Sequence, residues 1–248
     1  MFFEALLVSL VVFIGLMDEM TLQFQTTRAI VIGPIVGLLL GDLQTGLIVG
    51  ATIELMFLSN VIVGAAGIPD VTMASAIATA LAILGDVPTE AAISLGAVVA
   101  AFGQFMGTIR LSVLGVFFSH LADKPARQGD TKKVFGITVF GSCFIHLLLF
   151  ALPTFIAIYF GTDVVVAAVD NMPTEVLKAI SVGASLLAAI GFGMLLSMLS
   201  AKKFLPLLFV GFVLSAFAGI SIVGIVILAV AAAVLYISLS SRGEDYAE

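Results

Sequence analysis

The sequence predicts an all-α polytopic membrane protein with re-entrant helical hairpins in its N-terminal half, and three observations support this fold class. The chain has 248 residues, of which 61% are hydrophobic and only 10% charged, with a mean hydropathy of +1.26. Soluble domains lie nearer half apolar and a quarter charged. Long uncharged runs fill the second half, whereas acids and turn residues divide the N-terminal part into short apolar segments.

Several uncharged or nearly uncharged runs are long enough to cross a bilayer, for which a helix needs about 20 residues. Residues 204–241 form a run of roughly twice that length. Because Gly219 and Gly224 lie near its middle, this run predicts two short spans, or one span plus a re-entrant piece. The other predicted spans are residues 91–118, 134–162 and 179–201.

Acids interrupt the apolar segments between residues 29 and 86, so that no uncharged run there spans a bilayer alone. These segments are either spans with buried acids or helices that turn back within the membrane. Irregular backbone is tolerated at membrane depth where it packs in protein or lines a wet cavity. Gly64, Gly67 and Pro69 favour a re-entrant hairpin between the second and third segments. The three segments are residues 29–50, 51–66 and 71–86.

Basic residues predict the orientation of the chain. Four of them lie in 121–133, and Lys202 and Lys203 lie in a short link further on. The positive-inside rule assigns both places to the cytoplasm. Residues 161–178 contain three acids and one lysine, which predicts an outside loop.

We expect the whole chain, residues 1–248, to form one membrane-embedded transport domain. In this prediction a polar-punctuated half, 1–120, contains the functional site. The basic cytoplasmic loop 121–133 joins it to a C-terminal transmembrane half, 134–240.

Glycines recur every four residues at Gly33, Gly37 and Gly41, and again at Gly46 and Gly50. This spacing puts small residues on one helix face, where backbones approach closely in lipid. The pattern predicts helix packing; the alternative is a face that slides or admits a ligand.

Polar side chains are concentrated in the N-terminal half. An ionised side chain at the bilayer centre costs about 2.5–3.5 kcal/mol, so it is retained where it pairs or faces a polar cavity. Arg28 and Arg110 are the only basic residues among the first 120, against eight acids. Most acids therefore need an interface, water, a ligand or another subunit. Carboxylates and amides suit the hydroxyls of a neutral polyhydroxyl substrate.

The position of each acid indicates its role. Glu54 lies between two uncharged runs, which favours a functional or subunit-bridging role. Asp42, between two glycines in GDLQTG, predicts a turn or a helix N-cap. Asp86 is expected to be a loop acid. Asp70 is either the cap of the next helix or a ligand contact.

No catalytic constellation is apparent. His120 is expected at the interface, and His146 is expected to be a packed, hydrogen-bonded histidine rather than a ligand or proton relay. The single Cys143 leaves no disulfide framework, and there is no P-loop or metal-ligand spacing. A basic stripe is missing, which argues against a nucleic-acid partner. We expect no catalytic residue, metal or cofactor.

Residues 24–70 resemble a known family. The segment contains FQ…R, then G…LGD…TG…G…E, then GAA…PD, in this order. This pattern is similar to the IIC subunits of the mannose/fructose/sorbose type of the bacterial phosphoenolpyruvate-dependent sugar phosphotransferase system. The resemblance covers nearly the whole chain: it continues through AFGQ at 101–104, HLADKPARQGD at 120–130, FLPLLFVGFVLSAF at 204–217 and VLYISLS at 234–240.

The resemblance implies a permease subunit in the bacterial inner (cell) membrane. Such a IIC protein binds and translocates a hexose-type sugar, which the IIB protein phosphorylates on arrival. It pairs with a IID membrane subunit in a trimer of heterodimers, and IIA/IIB phosphocarrier proteins relay the phosphate through their own histidines. The chain would therefore have no catalytic residue of its own, although it works in a phosphotransferase complex.

The resemblance also implies a sugar site within the membrane. Matching motifs transfer this role to Gln25, Arg28, Glu54, Asp70 and Gln104. Chemistry more than motif adds Asp18 and Asn60 to the same site. The chain departs from the family where Ala29 follows Arg28, because many members have Pro there; the change bears on the shape of this segment and the choice of sugar.

Three other classes compete with this interpretation, and one of them, a scaffold or receptor subunit, would be a secondary role. A stand-alone secondary transporter would use the buried carboxylates to relay protons or cations. An integral membrane enzyme is disfavoured by the missing catalytic set. The sequence does not name the sugar.

Overall fold

A computed structural model of the chain describes residues 1–19, 21–58, 60, 68–198 and 205–244. Within these ranges the regular structure is helical, and no strand is present. The helices are α1 (Phe2–Glu19), α2 (Ala29–Leu40), α3 (Leu43–Met56), α4 (Val71–Leu84), α5 (Thr89–Ile109), α6 (Val116–Arg127), α7 (Thr131–His146), α8 (Leu152–Asp170), α9 (Thr174–Met198), α10 (Leu205–Ala216) and α11 (Ile222–Glu244).

The chain divides into two compact units, Met1–Leu195 and Leu196–Glu248. The first contains α1 to α8 and most of α9, and the second contains α10 and α11. A single domain over residues 1–248 stays a prediction.

Two helices are long and apolar enough to cross a membrane. They run over Thr89–Arg127 and Thr131–Val169, with 39 residues each. At 1.5 Å per residue each is roughly 58 Å long, which exceeds a hydrocarbon core of about 30 Å. Each contains one π-helical segment, Arg110–Gly115 in the first and Leu147–Ala151 in the second. The second has a local cause: Pro153 has no N–H, and the preceding Leu152 donates back to the carbonyl of Leu147.

Two segments that the sequence predicts as loops are largely helical, because these two helices are longer than expected. Most of the basic segment 121–133 is helical, because α6 continues to Arg127 and α7 begins at Thr131. Likewise, only 171–173 separate α8 from α9, so that 161–178 is not an extended loop. Lysine, arginine and alanine favour helix, and a charge that ends an apolar run does not end a helix.

Asp130, at the end of the short connection between α6 and α7, is the N-cap of α7. Its carboxylate accepts the backbone N–H of Lys133 at 3.1 Å and forms an ion pair with the Lys133 ammonium at 3.0 Å. The side-chain hydrogen bond from Lys133 lowers the pKa of Asp130 below its ordinary value. Gly129, at φ +70°, supplies the left-handed residue of the turn.

The N-terminal segments break elsewhere than the sequence indicates. The predicted boundary at residue 50 is wrong, because α2 ends at Leu40 and α3 runs through that boundary to Met56. Gly41, at φ +93°, ends α2, and the Asp42 carboxylate accepts the N–H of Thr45 at 3.0 Å. The N-cap prediction for Asp42 is confirmed.

The short helices fit the expectation that none of them spans alone. α2, α3 and α4 have 12, 14 and 14 residues, fewer than the about 20 that a span needs. That they turn back within the membrane stays a prediction. The expected turn at Gly64 and Gly67 lies outside the described residues.

Four of the five glycines in the pattern form a packing face, as predicted, whereas Gly41 has no neighbour within 4 Å of the position that a Cβ would take. α2 and α3 form a hairpin in which the backbone of Gly33 touches that of Gly46 and Gly50, and Gly37 touches Gly46. A Cβ added at Gly33 would lie 2.6 Å from the carbonyl oxygen of Gly46. This contact leaves no room for a ligand between the two helices.

α4 is the central helix of the first unit. Ten of its 14 residues are buried, and most are alanine, serine or threonine. Small side chains allow α1, α2, α3, α5 and α8 to pack around it. Two hydroxyls of α4 reach the start of α2: Thr72 donates to the carbonyl of Thr27 at 3.0 Å, and Ser75 donates to that of Ala29 at 3.2 Å.

The last uncharged run contains a break near its middle, as expected. α10 ends at Ala216 and α11 begins at Ile222. Gly219 lies between them at φ +64°. Gly224, in contrast, is part of α11.

Candidate functional site

A cavity of about 520 Å³ lies in the first unit, where the end of α1, the end of α3, the start of α4 and the middle of the Thr89–Arg127 helix meet. All the residues that the sequence analysis assigned to the site line it, and they come from four separate parts of the chain. These residues are Asp18, Gln25, Arg28, Glu54, Asn60, Asp70 and Gln104.

Glu54 and Arg28 form an ion pair in the wall of the cavity. The Glu54 side chain is 12% exposed and that of Arg28 is 35% exposed, so the carboxylate is the more shielded partner. Its second oxygen accepts the backbone N–H of Ile30 at 3.4 Å, in the first turn of α2. The acid that the sequence left without a partner is therefore neutralised within this chain.

Asp18 organises the loop that follows α1. Its carboxylate accepts the backbone N–H groups of Phe24 and Thr26 at 3.1 and 3.2 Å and the Thr26 hydroxyl at 2.8 Å. Gln23 and Gln25 have φ values of 55° and 65°, in the left-handed region that few non-glycine residues adopt. The bonds to Asp18 stabilise this unusual loop, which carries both glutamines along the cavity.

Asn60 and Asp70 both line the cavity, and each makes a side-chain hydrogen bond to backbone. The Asn60 amide donates to the carbonyl of Pro69 at 3.2 Å. The Asp70 carboxylate accepts the N–H of Met73 at 2.8 Å and caps α4, so the cap that the sequence proposed for Asp70 is present. Asp70 also lines the cavity, and a carboxylate has acceptor capacity beyond one cap bond.

Gly103 explains how Asp70 packs so close to α5. A Cβ on Gly103 would overlap the Cβ of Asp70, and the Asp70 N–H donates to the carbonyl of Ala100 at 3.0 Å. The next residue, Gln104, also lines the cavity. The AFGQ motif thus combines a glycine that admits Asp70 with an amide at the cavity wall.

The cavity contains further polar residues that the sequence analysis did not assign to the site. Arg110 and Glu19 face each other, with the Nη1 and Oε2 atoms 3.9 Å apart. Arg110 carries the same signal as Glu54, an isolated charge in an apolar run. The threonines carry no such signal. The added residues are Glu19, Gln23, Thr27, Thr72 and Arg110.

The chemistry of the wall suits a neutral ligand rich in hydroxyl groups. Each of the two arginines in the first 120 residues faces an acid, and Asp18 and Asp70 accept backbone N–H groups. Charge is therefore largely compensated before a ligand enters. The carboxylates, amides and guanidinium groups keep both acceptor and donor capacity. Among the described residues no group of His, Cys, Asp and Glu is arranged to bind a metal ion.

Long apolar helices around a polar cavity, with charges paired inside the protein, define the class: an α-helical membrane protein that binds a polar solute. The comparisons with known proteins specify this class. A family model described as the PTS system sorbose-specific IIC component matches residues 2–235. The chain therefore belongs to the sorbose-type IIC family of the sugar phosphotransferase system.

Characterised relatives of this chain include several sugar-specific components. The mannose-specific EIIC component of Escherichia coli strain K12 is 33% identical over 240 residues, which cover 96% of this chain and 90% of that protein. The fructose permease IIC component of Bacillus subtilis strain 168 is 35% identical over 212 residues, covering 86% and 78%. The sorbose-specific EIIC component of Lacticaseibacillus casei is 30% identical over 221 residues, covering 89% and 79%.

Solved structures agree with this assignment. One, described as a membrane protein, matches with a TM-score of 0.88 at 31% identity and covers 98% of both chains. The complex of the mannose transporter ManYZ with microcin E492 matches with a TM-score of 0.61 at 32% identity, covering 98% of this chain and 97% of that one. The predicted fold class, an all-α membrane protein, and the family resemblance are confirmed.

Proposed function

We propose that this chain is the permease (IIC) subunit of a phosphoenolpyruvate-dependent sugar phosphotransferase system and that it binds a neutral hexose-type sugar in the cavity described above. The observation that carries the proposal is the convergence of the seven motif and polar residues on one cavity of about 520 Å³. Small-molecule sites have volumes of about 300–1,000 Å³. The cavity therefore has the size and the polarity for a single sugar.

Glu54, Asp70, Gln25 and Gln104 are the proposed contacts for sugar hydroxyls. Their oxygens and amides combine acceptors with donors, which matches a hydroxyl group that does both. Arg28 forms an ion pair with Glu54 and adds guanidinium donors at the same wall. Asp18 and Asn60 act through the backbone that they bind, and so shape the cavity around the ligand.

The function requires other proteins. We propose that the chain crosses the bacterial inner membrane several times and works with a IID membrane subunit, in a trimer of heterodimers. IIA and IIB phosphocarrier proteins supply the phosphoryl group on the cytoplasmic side. This chain would translocate the sugar, and the IIB protein would phosphorylate it on arrival.

The test measures sugar phosphorylation by membranes that contain this chain, with and without its IID subunit. Soluble phosphocarriers and phosphoenolpyruvate are supplied, and labelled mannose, fructose, sorbose and N-acetylgalactosamine are offered separately. We expect phosphorylated sugar only when both membrane subunits and phosphoenolpyruvate are present. Accumulation of unmodified sugar that follows an ion gradient and ignores phosphoenolpyruvate would contradict the proposal and favour an ion-coupled secondary transporter.

A further inference from the structure

We propose that His146 is a positioning residue for the sugar cavity: as a neutral imidazole with its proton on Nδ1, it orients the guanidinium of Arg110 for hydrogen bonding to the sugar. The part that concerns the sugar rests on the proposed function. The placement of the proton on His146 does not.

Two contacts of the imidazole determine its protonation state. The Nδ1 atom lies 2.7 Å from the carbonyl oxygen of Ser142, which can only accept, so Nδ1 carries the hydrogen. The Nε2 atom lies 3.1 Å from Nη1 of Arg110, which can only donate, so Nε2 presents its lone pair. An imidazolium, or the tautomer protonated at Nε2, would set two donors against each other.

Packing keeps the ring in this orientation. His146 is 2% exposed. Its ring stacks on Phe150 with the centroids 5.8 Å apart and the planes 24° apart. Phe150 belongs to the cavity wall. The imidazole therefore lies behind the wall and cannot turn its acceptor away from Arg110 without disturbing that wall.

Arg110 has donor capacity that the protein does not use. Its Nε atom is buried and, within the described residues, has no hydrogen-bond partner. Glu19 is 3.9 Å away, too far for a hydrogen bond, so it contributes charge but little direction. Direction comes from His146. The Nε atom itself is out of reach of the cavity, but the Arg110 side chain is 17% exposed and lines the cavity, so the outer part of the guanidinium can donate to a ligand acceptor there.

The backbone has an irregularity at this pair on both helices. The π-helical segment of one helix begins at Arg110, and the segment of the other begins immediately after His146. Single π-helical turns shift the side chains that follow and often mark functional sites. Pro153 accounts for the second segment, but no proline lies near the first.

The tautomer is tested by ¹⁵N NMR on the complete membrane complex in lipid nanodiscs. The chain has two histidines, so His120→Gln leaves only the signal of His146 when this chain alone carries ¹⁵N-labelled histidine. This control is mild, because His120 is exposed and its Nδ1 atom lies 2.9 Å from the carbonyl oxygen of Val116 in its own helix. We expect the neutral form protonated at Nδ1 at neutral pH. A spectrum of the Nε2-protonated form, or of imidazolium, would overturn the proposal.

The positioning role is tested by comparing His146→Gln with His146→Leu in the phosphorylation assay. A glutamine amide oxygen can replace Nε2 as the acceptor for Arg110, whereas leucine has a similar size and no acceptor. We expect His146→Leu to raise the KM for the sugar about tenfold, with a smaller change in kcat, and His146→Gln to stay within about twofold.

Size-exclusion profiles check that both variants fold. Equal KM values for the two variants would overturn the positioning role. If wild-type membranes phosphorylate none of the four sugars, the proposed function fails, and the NMR measurement decides the state of His146 by itself.

Discussion

Glu54 belongs to α3 and also contacts the N-terminus of α2. It extends from α3, pairs with Arg28 and accepts the N–H of Ile30 in the first turn of α2. Arg28 occupies the N-cap of α2 but makes no side-chain cap bond. A carboxylate near a helix N-terminus is favoured by the helix dipole. Glu54 therefore takes over the cap function while it forms the wall of the cavity.

Glu54→Gln is expected to reduce sugar phosphorylation more than tenfold. The change removes a charge-assisted bond worth about 1.5–3 kcal/mol and leaves the Arg28 charge uncompensated at the cavity. Initial rates of phosphorylation and membrane insertion are to be measured together. Glu90→Gln is the matched control, because Glu90 is exposed and lies outside the cavity. Normal rates in Glu54→Gln would rule out the role of Glu54 at the site.

Asp18 is a second single residue that shapes the cavity, because its carboxylate binds backbone N–H groups of the loop after α1. It accepts three hydrogen bonds from the loop that carries Gln25, a residue with a left-handed φ of 65°. A carboxylate that accepts several N–H groups is a typical organiser of such a loop. The Asp18 side chain thus joins this loop to the end of α1.

Asp18→Asn is expected to loosen this loop and to raise the KM for the sugar by roughly three- to tenfold, as one charge-assisted bond is weakened. Limited proteolysis should cut between residues 21 and 28 faster than in the wild type. Asp86→Asn, at an exposed loop position, is the control. Unchanged proteolysis and KM would show that the loop keeps its shape without the carboxylate.

At the scale of the element, the α2–α3 hairpin depends on backbone contact. A Cβ on Gly46 would lie 2.5 Å from the carbonyl oxygen of Gly33 and 2.8 Å from the Cα of Gly37. Backbone atoms cannot move aside as a flexible side chain can. Any residue larger than glycine at Gly46 must therefore separate the two helices, and Glu54 would move away from Arg28 with them.

Gly46→Ala is expected to destabilise the protein by about 1–3 kcal/mol, the usual cost of overpacking. Gly136→Ala is the matched control: Gly136 lies in α7 with open space around its Cα, and alanine favours helix by about 1 kcal/mol. Thermal unfolding in detergent, followed by size exclusion, gives the two Tm values. The hairpin contact would be unimportant if the two variants had the same Tm.

At the scale of the whole molecule, the long helix Thr131–Val169 determines where its two ends lie. Its length exceeds the hydrocarbon thickness, so the connections before and after it should be on opposite sides of the membrane. Basic residues around the first connection, which contains Gln128, predict the cytoplasm. The second connection contains Asn171.

Cysteine labelling is expected to place Gln128 inside and Asn171 outside. Cys143 is the single cysteine of the chain, so Cys143→Ala provides a background without thiols. Gln128→Cys and Asn171→Cys are then treated in whole cells with a membrane-impermeant maleimide. Only Asn171→Cys should react before the cells are opened. Reaction of both in intact cells would contradict the predicted orientation.

Local features were predictable where a few neighbouring residues determine them. Asp42 was expected as a cap because it stands between glycines before a helical run, and it is one. The ends of α6 and α8 were not predictable, because a charged residue shows where an apolar run ends and not where a helix ends. The break between α2 and α3 was also misplaced, since Gly50 belongs to the same packing face as Gly46 and does not start a turn.

By itself the sequence determined the membrane class and the family, and it predicted seven of the residues that line the cavity, because composition and short motifs carry that information. Only the tertiary structure decided which side chains pair. Glu54 bonds to Arg28, 26 positions away in the sequence, and His146 contacts Arg110, 36 positions away. Such pairs form where two helix faces pack against each other. The relative rotation of two helices cannot be predicted from the sequence of either helix alone. The roles of Glu54 as a cap and of His146 as an oriented acceptor follow from that packing.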